Sequence, residues 1–203
     1  MLIIAPPSEA KRPPPDDGRP VDLAALSFPA LTPLRERILD AVIATIEEPD
    51  ALSRFHVGPT IAEEVARNGL LRELPTRPLL DVYRGPFHEG LDAATLSTDA
   101  RARARTDLVV ASALWGALRP ADAIPAYRLH VCSRLLGVDG LEPTWRTILP
   151  EVLAEAAGST GVIVDLRSPA YQATGRPAGL GDRTVTVRAT DRSGGATRIG
   201  DVV

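Results

Sequence analysis

The sequence contains 203 residues, of which 44% are hydrophobic and 24% charged, and this composition, typical of globular domains, excludes a disordered, collagen-like or coiled-coil chain. Its formal net charge of −3 excludes a polycation that would bind nucleic acid over its whole surface. Because residues 1–100 carry 10 basic and 16 acidic side chains, whereas residues 101–203 carry 13 basic and 10 acidic ones, any cationic site must be local and is favoured in the second half.

The first predicted strand is the apolar run Leu2–Ala5, which ends at two prolines. It leads into a loop that contains Ser8, Glu9 and Lys11. Lys11 is the only lysine, since 22 of the 23 basic residues are arginine. A coding bias toward arginine should also have replaced Lys11 unless this position needs a lysine. Lys11 is therefore a candidate for a role that needs a compact ammonium or a group able to lose its proton. The alternative is a chance survivor on a loop.

The spacing of apolar residues predicts a helix from Thr32 to Pro49. A second helix is predicted to begin at Thr60. Thr60 and Glu63 match a capping box, in which each side chain accepts a hydrogen bond from the backbone of the first turn.

Three arginines, at positions 101, 103 and 105, alternate with alanine. A strand would align their side chains as a phosphate-binding stripe, whereas a helix would spread them over a solvated face. The intervening alanines favour the helix, so we expect this segment to be an exposed helix.

Two apolar runs, residues 107–114 and 161–166, predict buried strands, and residues 145–157 between them have helical periodicity. Residues 184–189 alternate like an edge strand, and a glycine pair then predicts a turn into residues 197–203, which would complete a C-terminal β-hairpin. Strands that alternate with helices indicate an α/β fold, with a mixed sheet flanked by helices.

The single cysteine, Cys132, cannot form an internal disulfide, and the three histidines lack the spacing of a zinc site. No common phosphate-binding glycine loop is present, and we expect neither a metal nor a cofactor. The longest apolar run, residues 108–118, is too short for a bilayer span, and the first residues do not resemble a signal peptide. We therefore expect a cytoplasmic protein with no membrane anchor. Cys132 is interpreted as buried, the alternative being thiol chemistry with the nearby His130.

Four segments combine polar, glycine and aromatic residues in ways that a packed core does not require. They are SEAK at residues 8–11, YRGPFHEGLDAATLS at 83–97, ASALWGALRPADAIPAYRLH at 111–130 and GVIVDLRSPAYQ at 161–172. Taken in order, these segments resemble motifs of the YaaA peroxide-stress protein family over almost the whole chain. Three residues depart from the family pattern: Trp115 replaces a tyrosine, His130 a glutamate and Asp165 an asparagine.

The resemblance implies a cytoplasmic protein that protects against hydrogen peroxide, with a YaaA-type α/β fold and a positively charged cleft that binds double-stranded DNA. The family continues past the predicted hairpin into a segment with lysine, arginine and glycine, and then a terminal helix. The resemblance therefore predicts a single YaaA-like domain over residues 1–203 that lacks this C-terminal basic segment.

The residues themselves favour an anion site. Lys11 follows the end of a strand, where open α/β sheets bind their ligands, Arg119 also follows a strand, and Arg128 follows Tyr127 next to a proline turn. If these cations converge, arginine supplies bidentate hydrogen bonds to a phosphate or carboxylate and lysine supplies a point charge. The predicted anion-binding residues are Lys11, Arg84, Arg119, Tyr127 and Arg128.

Each of these residues also has a structural interpretation. Arg119 and Arg128 could instead form structural salt bridges with Asp122 or Asp92. Tyr83 and Tyr127 could stack a base or bind a phosphate. A tyrosine that is buried in the core with its hydroxyl hydrogen-bonded to the protein would need no ligand to explain it.

Two functions remain open from the sequence. The first is a stress protein that binds DNA phosphates through the predicted residues and catalyses no reaction. The second is an enzyme for a small anionic or nucleotide-like substrate, with Lys11 as proton donor or nucleophile and Tyr83 or Glu9 as acid or base. The net charge and the absence of a basic run fit a small pocket better than a broad cleft. A Lys11→Arg variant separates the two, because phosphate attraction survives it and lysine chemistry does not.

Overall fold

The structure is a computed structural model that describes residues 1–188. The turn and the second strand of the predicted C-terminal β-hairpin lie outside the described residues. The strands are β1 (Leu2–Ala5), β2 (Arg77–Pro78), β3 (Leu108–Ser112), β4 (Gly116–Leu118), β5 (Ala123–Ile124), β6 (Ile163–Asp165) and β7 (Thr184–Thr186).

The main sheet has five strands in the order β4-β3-β1-β6-β7, and β2 pairs with β5 in a separate two-stranded sheet. Strand β1 is parallel to both β3 and β6, and β7 is parallel to β6. Strand β4 runs antiparallel to β3, which makes the sheet mixed, as predicted. The strand predicted to lie at an edge, β7, does so within the described part of the sheet. Strand β3 is buried throughout, because helices flank the sheet and cover its apolar run.

The helices account for most of the chain between the strands. They are α1 (Thr32–Ile46), α2 (Ala51–Arg54), α3 (Ala62–Ala66), α4 (Leu79–Val82), α5 (Pro86–Leu91), α6 (Thr98–Asp107), α7 (Leu141–Arg146), α8 (Leu149–Ala157) and α9 (Pro169–Gln172). Helix α1 begins at Thr32 as predicted. Helix α6 carries the three alternating arginines, all of them exposed, which confirms the helical interpretation of that segment. None of the helices in residues 1–188 has the length and apolar content that a bilayer span requires.

Two predicted helices differ from the structure, the first in where it begins and the second in being interrupted. The capping box at Thr60 is wrong: Thr60 lies inside a 3-10 turn, Pro59–Ile61, and α3 begins only at Ala62, with no side-chain cap. Proline at the first position of that turn fixes a helical φ one residue too early for Thr60 to act as the cap. The helix predicted over residues 145–157 is two helices, because the Pro150 ring conflicts with a helical carbonyl four residues earlier.

The sheet order determines where a ligand site can form. After β1 the chain reaches β3 on one side, and it later returns to β6 on the other side. The loops that follow β1 and β6 therefore leave the same edge of the sheet from adjacent parallel strands. Open α/β sheets bind their ligands at such a point.

Candidate functional site

The loop after β1 pairs with the segment after α4. Lys11 and Tyr83 form an isolated antiparallel bridge. The backbone N–H of Arg84 donates to the carbonyl of Ala10 at 3.0 Å, and the backbone N–H of Arg12 donates to Val82 at 2.8 Å. These bonds bring the backbone of Arg84 beside that of Lys11 and Arg12, although Arg84 is far from the other two in sequence. Because side chains alternate between the two faces of paired segments, Arg12 and Arg84 project from the face opposite to Lys11. Arg12 and Arg84 are exposed, and neither forms an ion pair within residues 1–188.

The Lys11 side chain lies over the two tyrosines. Its Nζ is 4.1 Å from the centroid of the Tyr127 ring and 5.3 Å from that of Tyr83, within the range of cation–π attraction. Nζ also donates to the carbonyl oxygen of Ser8 at 2.8 Å. Burial of the ammonium lowers the pKa of Lys11 from 10.5 to about 8, against the raising effect of the Glu9 carboxylate.

A chain of hydroxyl groups lies beneath the loop. The Tyr83 and Tyr127 hydroxyls are 2.7 Å apart, and the Tyr127 hydroxyl is 2.7 Å from the Oγ of Ser112 at the end of β3. Ser112 Oγ also accepts a hydrogen bond from the backbone N–H of Trp115. Burial raises the pKa of both tyrosines, so both phenols stay protonated at neutral pH. Tyr83 and Tyr127 are thus buried core residues whose hydroxyls are hydrogen-bonded within the protein, as the structural interpretation of these residues predicts.

Arg128 joins this group from a third segment. Its Nη1 donates to the carbonyl oxygen of Glu9 at 3.0 Å, and its Nε is 3.7 Å from a Glu9 carboxylate oxygen. The amide of Asn68 binds both the N–H and the carbonyl of Arg128, which positions this residue. The ion-pair partner of Arg128 is thus Glu9, not Asp92 or Asp122. We call Lys11, Arg12, Arg84 and Arg128 the cationic cluster.

Arg119 lies elsewhere. The register pairs Leu118 with Val110, and because β4 is antiparallel to β3, the chain at Arg119 returns toward the start of β3. Its guanidinium donates to the carbonyl of Thr106 and lies 5.2 Å from the Phe28 ring, while its backbone N–H donates to the Asp122 carboxylate at 2.8 Å. The structure therefore brings Lys11, Tyr83, Arg84, Tyr127 and Arg128 together and leaves Arg119 at the opposite edge of the sheet.

A cavity of about 750 Å³ opens beside the loop after β1. Its walls come from that loop, the start of α5, the segment at His130 and Cys132, and the start of α9. Cys132 is exposed, so its interpretation as buried is wrong: alternate residues of this extended segment point inward, and Cys132 falls on the outer side. The lining residues are Pro6, Pro7, Ser8, Glu9, Ala10, Gly85, Pro86, Phe87, His88, His130, Cys132, Ser168, Pro169, Ala170 and Tyr171.

Sequence reasoning missed three contributors to this region: Arg12, His88 and Tyr171. Arg12 follows the only lysine directly, and its surroundings are proline-rich, so no motif marks it. His88 and Tyr171 lie within the four unusual segments, but nothing in their spacing shows that α5 and α9 contribute to one cavity. Helix α5 contributes because His88 contacts the Pro6 carbonyl in the loop after β1, and α9 contributes because it follows β6, the neighbour of β1.

A buried ion pair supports the α9 wall of the cavity. Arg167 donates to the Asp165 carboxylate from Nε at 2.9 Å and from Nη2 at 2.8 Å, and both side chains are 1% exposed. Arg167 Nη1 also donates to the carbonyl of Tyr171 at 3.1 Å. The pair thus fixes the direction in which the chain leaves β6.

Comparison with known proteins extends over the whole chain. The family model for the peroxide stress protein YaaA matches residues 1–202. A UPF0246 protein of Streptomyces coelicolor is 39% identical over 191 residues, which cover 93% of this chain and 73% of that protein. A UPF0246 protein of Corynebacterium efficiens is 39% identical over 202 residues, 98% of this chain and 77% of the relative. A third, from Corynebacterium glutamicum, is 37% identical over 180 residues, 87% of this chain and 70% of the relative.

Proposed function

The chain belongs to the family of the peroxide stress protein YaaA, and we propose that it serves the response to hydrogen peroxide by binding double-stranded DNA through the cationic cluster. The observation that carries this proposal is that four cations from three segments of the chain, Lys11, Arg12, Arg84 and Arg128, lie on or against the loop after β1, and that the Arg12 and Arg84 side chains are exposed. We place this function in the cytoplasm, because a chain with one cysteine suits a reducing compartment.

The cluster has the chemistry that a phosphate backbone requires. Arg12 and Arg84 are exposed, so their guanidinium groups are free to form bidentate hydrogen bonds with phosphate oxygens. Glu9 partly neutralises Arg128 and Glu64 acts on Lys11, so the attraction for phosphate rests mainly on the exposed Arg12 and Arg84. The bridge between Lys11 and Tyr83 ties the backbone of the cluster, which lowers the entropy cost of ordering it on a ligand.

Salt dependence of DNA binding tests this proposal. For a labelled duplex, we expect the logarithm of the affinity to fall linearly with the logarithm of salt concentration, with a slope of about −0.9 for each phosphate contacted. Arg84→Ala is expected to weaken binding to all sequences alike and to make the slope shallower by about 0.9. Fluorescence anisotropy between about 50 and 200 mM salt measures both quantities.

The matched control is Arg105→Ala. Arg105 is an exposed arginine of α6, which leads into the opposite end of β3, and this variant should leave affinity and slope unchanged. Absence of duplex binding at low salt, or binding that is indifferent to salt, would contradict the proposal. Equal effects of the two substitutions would show that the cationic cluster is not the interface.

A second candidate function is favoured by the surroundings of Lys11. Its ammonium lies against two tyrosine rings, and its pKa is lowered to about 8, which gives a substantial population of the nucleophilic amine near neutral pH. Such a lysine suits an enzyme that acts on a small anionic or nucleotide-like substrate, with Lys11 as the catalytic group. Tyr83 would act as an acid rather than a base, because burial raises the pKa of its phenol.

Titration of Lys11 tests this candidate, and the chain simplifies the experiment because it has one lysine. Nuclear magnetic resonance of protein labelled with ¹⁵N-lysine should show a midpoint at about 8 in the folded protein and about 10.4 in denaturant. Between these values the unfolded chain binds more protons, so the free energy of unfolding should rise with pH across this window. A folded midpoint above 10 would contradict the candidate. Lys11→Arg should abolish lysine-dependent turnover while DNA affinity largely survives.

A further inference from the structure

The cavity beside the cationic cluster has walls suited to a flat ring. Ser8, Glu9 and Ala10 of the loop after β1 line the cavity. In the same loop, the Ser8 carbonyl accepts a hydrogen bond from Lys11 and the Glu9 carbonyl accepts one from Arg128. The cavity volume of about 750 Å³ lies within the range of ligand sites. Proline rings and aromatic rings offer flat apolar surfaces on which a planar heterocycle can stack. The apolar lining residues are Pro6, Pro7, Pro86, Phe87, Pro169, Ala170 and Tyr171.

His88 presents an unpaired acceptor. The residue is 7% exposed, and its Nε2 lies 3.3 Å from the carbonyl oxygen of Pro6, which can only accept, so Nε2 carries the hydrogen. Burial, together with the nearby Lys11, lowers the pKa of His88 to about 4, and the ring is neutral at pH 7. The other nitrogen, Nδ1, is therefore a bare acceptor, and it is buried with no hydrogen-bond partner among the described residues.

Glu9 presents a second unpaired acceptor at the same cavity. Its Oε2 is buried and accepts no hydrogen bond from the described residues, since the nearest cationic atom, Nε of Arg128, is 3.7 Å away. Buried acceptors without donors are costly and are rare in folded proteins. Two of them on residues that line one cavity indicate a ligand that brings its own donors.

The surrounding charges decide which kind of donor fits. Lys11 belongs to the loop that carries Glu9, and Arg128 donates to the Glu9 carbonyl from another segment. These two cations disfavour a ligand that is itself a cation. A neutral group with N–H donors and flat apolar faces satisfies both the acceptors and the walls. Nucleobases with an exocyclic amino group have this combination, and thymine and uracil have a single ring N–H instead.

We propose that this cavity binds an amino-bearing nucleobase, whose N–H edge donates to Glu9 and His88 while its ring stacks on the proline and aromatic walls. In DNA the base would be unpaired and rotated out of the helix, with its phosphates on the cationic cluster, and this arm rests on the proposed DNA binding. Extrusion costs least for a base that already lacks a partner. A free nucleoside or nucleotide would present the same edge and ring.

Binding to three labelled duplexes tests the inference: one fully paired, one with a single unpaired adenine and one with a single unpaired thymine. We expect the unpaired-adenine duplex to bind about tenfold more tightly than the other two, as the loss of one charge-assisted hydrogen bond predicts. Ala170→Trp, which fills the cavity, should abolish this preference and leave binding of the fully paired duplex unchanged. Glu9→Gln, which removes an acceptor and also the negative charge beside Arg128, should abolish the preference while every duplex binds at least as tightly as it binds the parent protein. Glu151→Gln, at an exposed carboxylate of α8, should keep the preference.

A titration with 2-aminopurine riboside, followed by its fluorescence, tests the free ligand. Binding of the riboside that Glu9→Gln weakens, without binding of any duplex, would support the nucleobase site and overturn the proposed DNA function. Binding of all three duplexes with equal affinity, and none of the riboside, would overturn the nucleobase site and leave DNA binding intact. Riboside binding that persists in the Ala170→Trp variant would also overturn the nucleobase site, because the cavity would then not be the site. A preference for the unpaired-adenine duplex that persists in this variant would overturn it for the same reason.

Discussion

Replacing Asp165 by alanine is expected to lower the free energy of unfolding by about 3–5 kcal/mol. Asp165 ends β6, and its carboxylate accepts two hydrogen bonds from the Arg167 guanidinium and one from the Arg167 backbone N–H. Both side chains are 1% exposed, so the alanine variant leaves a buried guanidinium without its counter-charge. The loss is large because the Arg167 charge would stay buried without the carboxylate that compensates its desolvation. This cost arises even where the intact ion pair contributes little net stability.

Denaturant unfolding followed by circular dichroism measures this effect. The double variant Asp165→Leu/Arg167→Leu removes both charges and should recover much of the loss. Because Arg167 also binds the carbonyl of Tyr171, Asp165→Ala should in addition weaken nucleobase binding at the cavity. An unfolding free energy within about 1 kcal/mol of the parent would contradict the assignment of this pair as a tightly coupled buried ion pair.

Trp145→Ala is expected to cost about 3–5 kcal/mol of unfolding free energy. The indole is fully buried, and its Nε1 donates to the carbonyl of Ala113 at 2.8 Å. It packs directly on the backbone of Gly116, where an added Cβ would lie 2.6 Å from the ring. The alanine variant opens a cavity under the β3–β4 connection and leaves the Ala113 carbonyl without this donor.

Circular dichroism is the suitable probe here, because Trp145 is one of only two tryptophans and its removal changes the fluorescence signal itself. Trp145→Phe keeps a ring over Gly116 and loses the donor, so it should cost clearly less than the alanine variant. Equal losses for the two would show that the hydrogen bond to Ala113, not the packing of the ring, determines the effect.

The two proposed sites share one loop. The loop after β1 contributes Lys11 to the cationic cluster and Glu9 to the cavity. An acidic chain can bind a polyanion in this way because the cations act at short range, within about 10 Å at 0.1 M salt. Binding should therefore depend on Arg84 and its neighbours much more than on the net charge.

The segments that sequence reasoning identified correctly are those whose signal is local. The runs at β1, β3 and β6 are apolar because strands buried on both faces need no polar alternation, and helix α1 begins where Thr32 is followed by a proline. Lys11 stands out by composition alone, and the structure places its ammonium over two tyrosine rings, while its role stays a prediction.

The convergence of distant residues could not be read from the same patterns. Arg119 directly precedes Pro120 and Arg128 follows Pro125, yet only Arg128 reaches Glu9, because the antiparallel direction of β4 carries Arg119 to the other edge of the sheet. His88 reaches the cavity through its contact with the Pro6 carbonyl in the loop after β1, and Tyr171 reaches it because α9 follows β6, the neighbour of β1 in the sheet. Strand order and direction are set by long-range packing of the whole chain, and hydrophobic period and residue propensity, which are local, do not encode them.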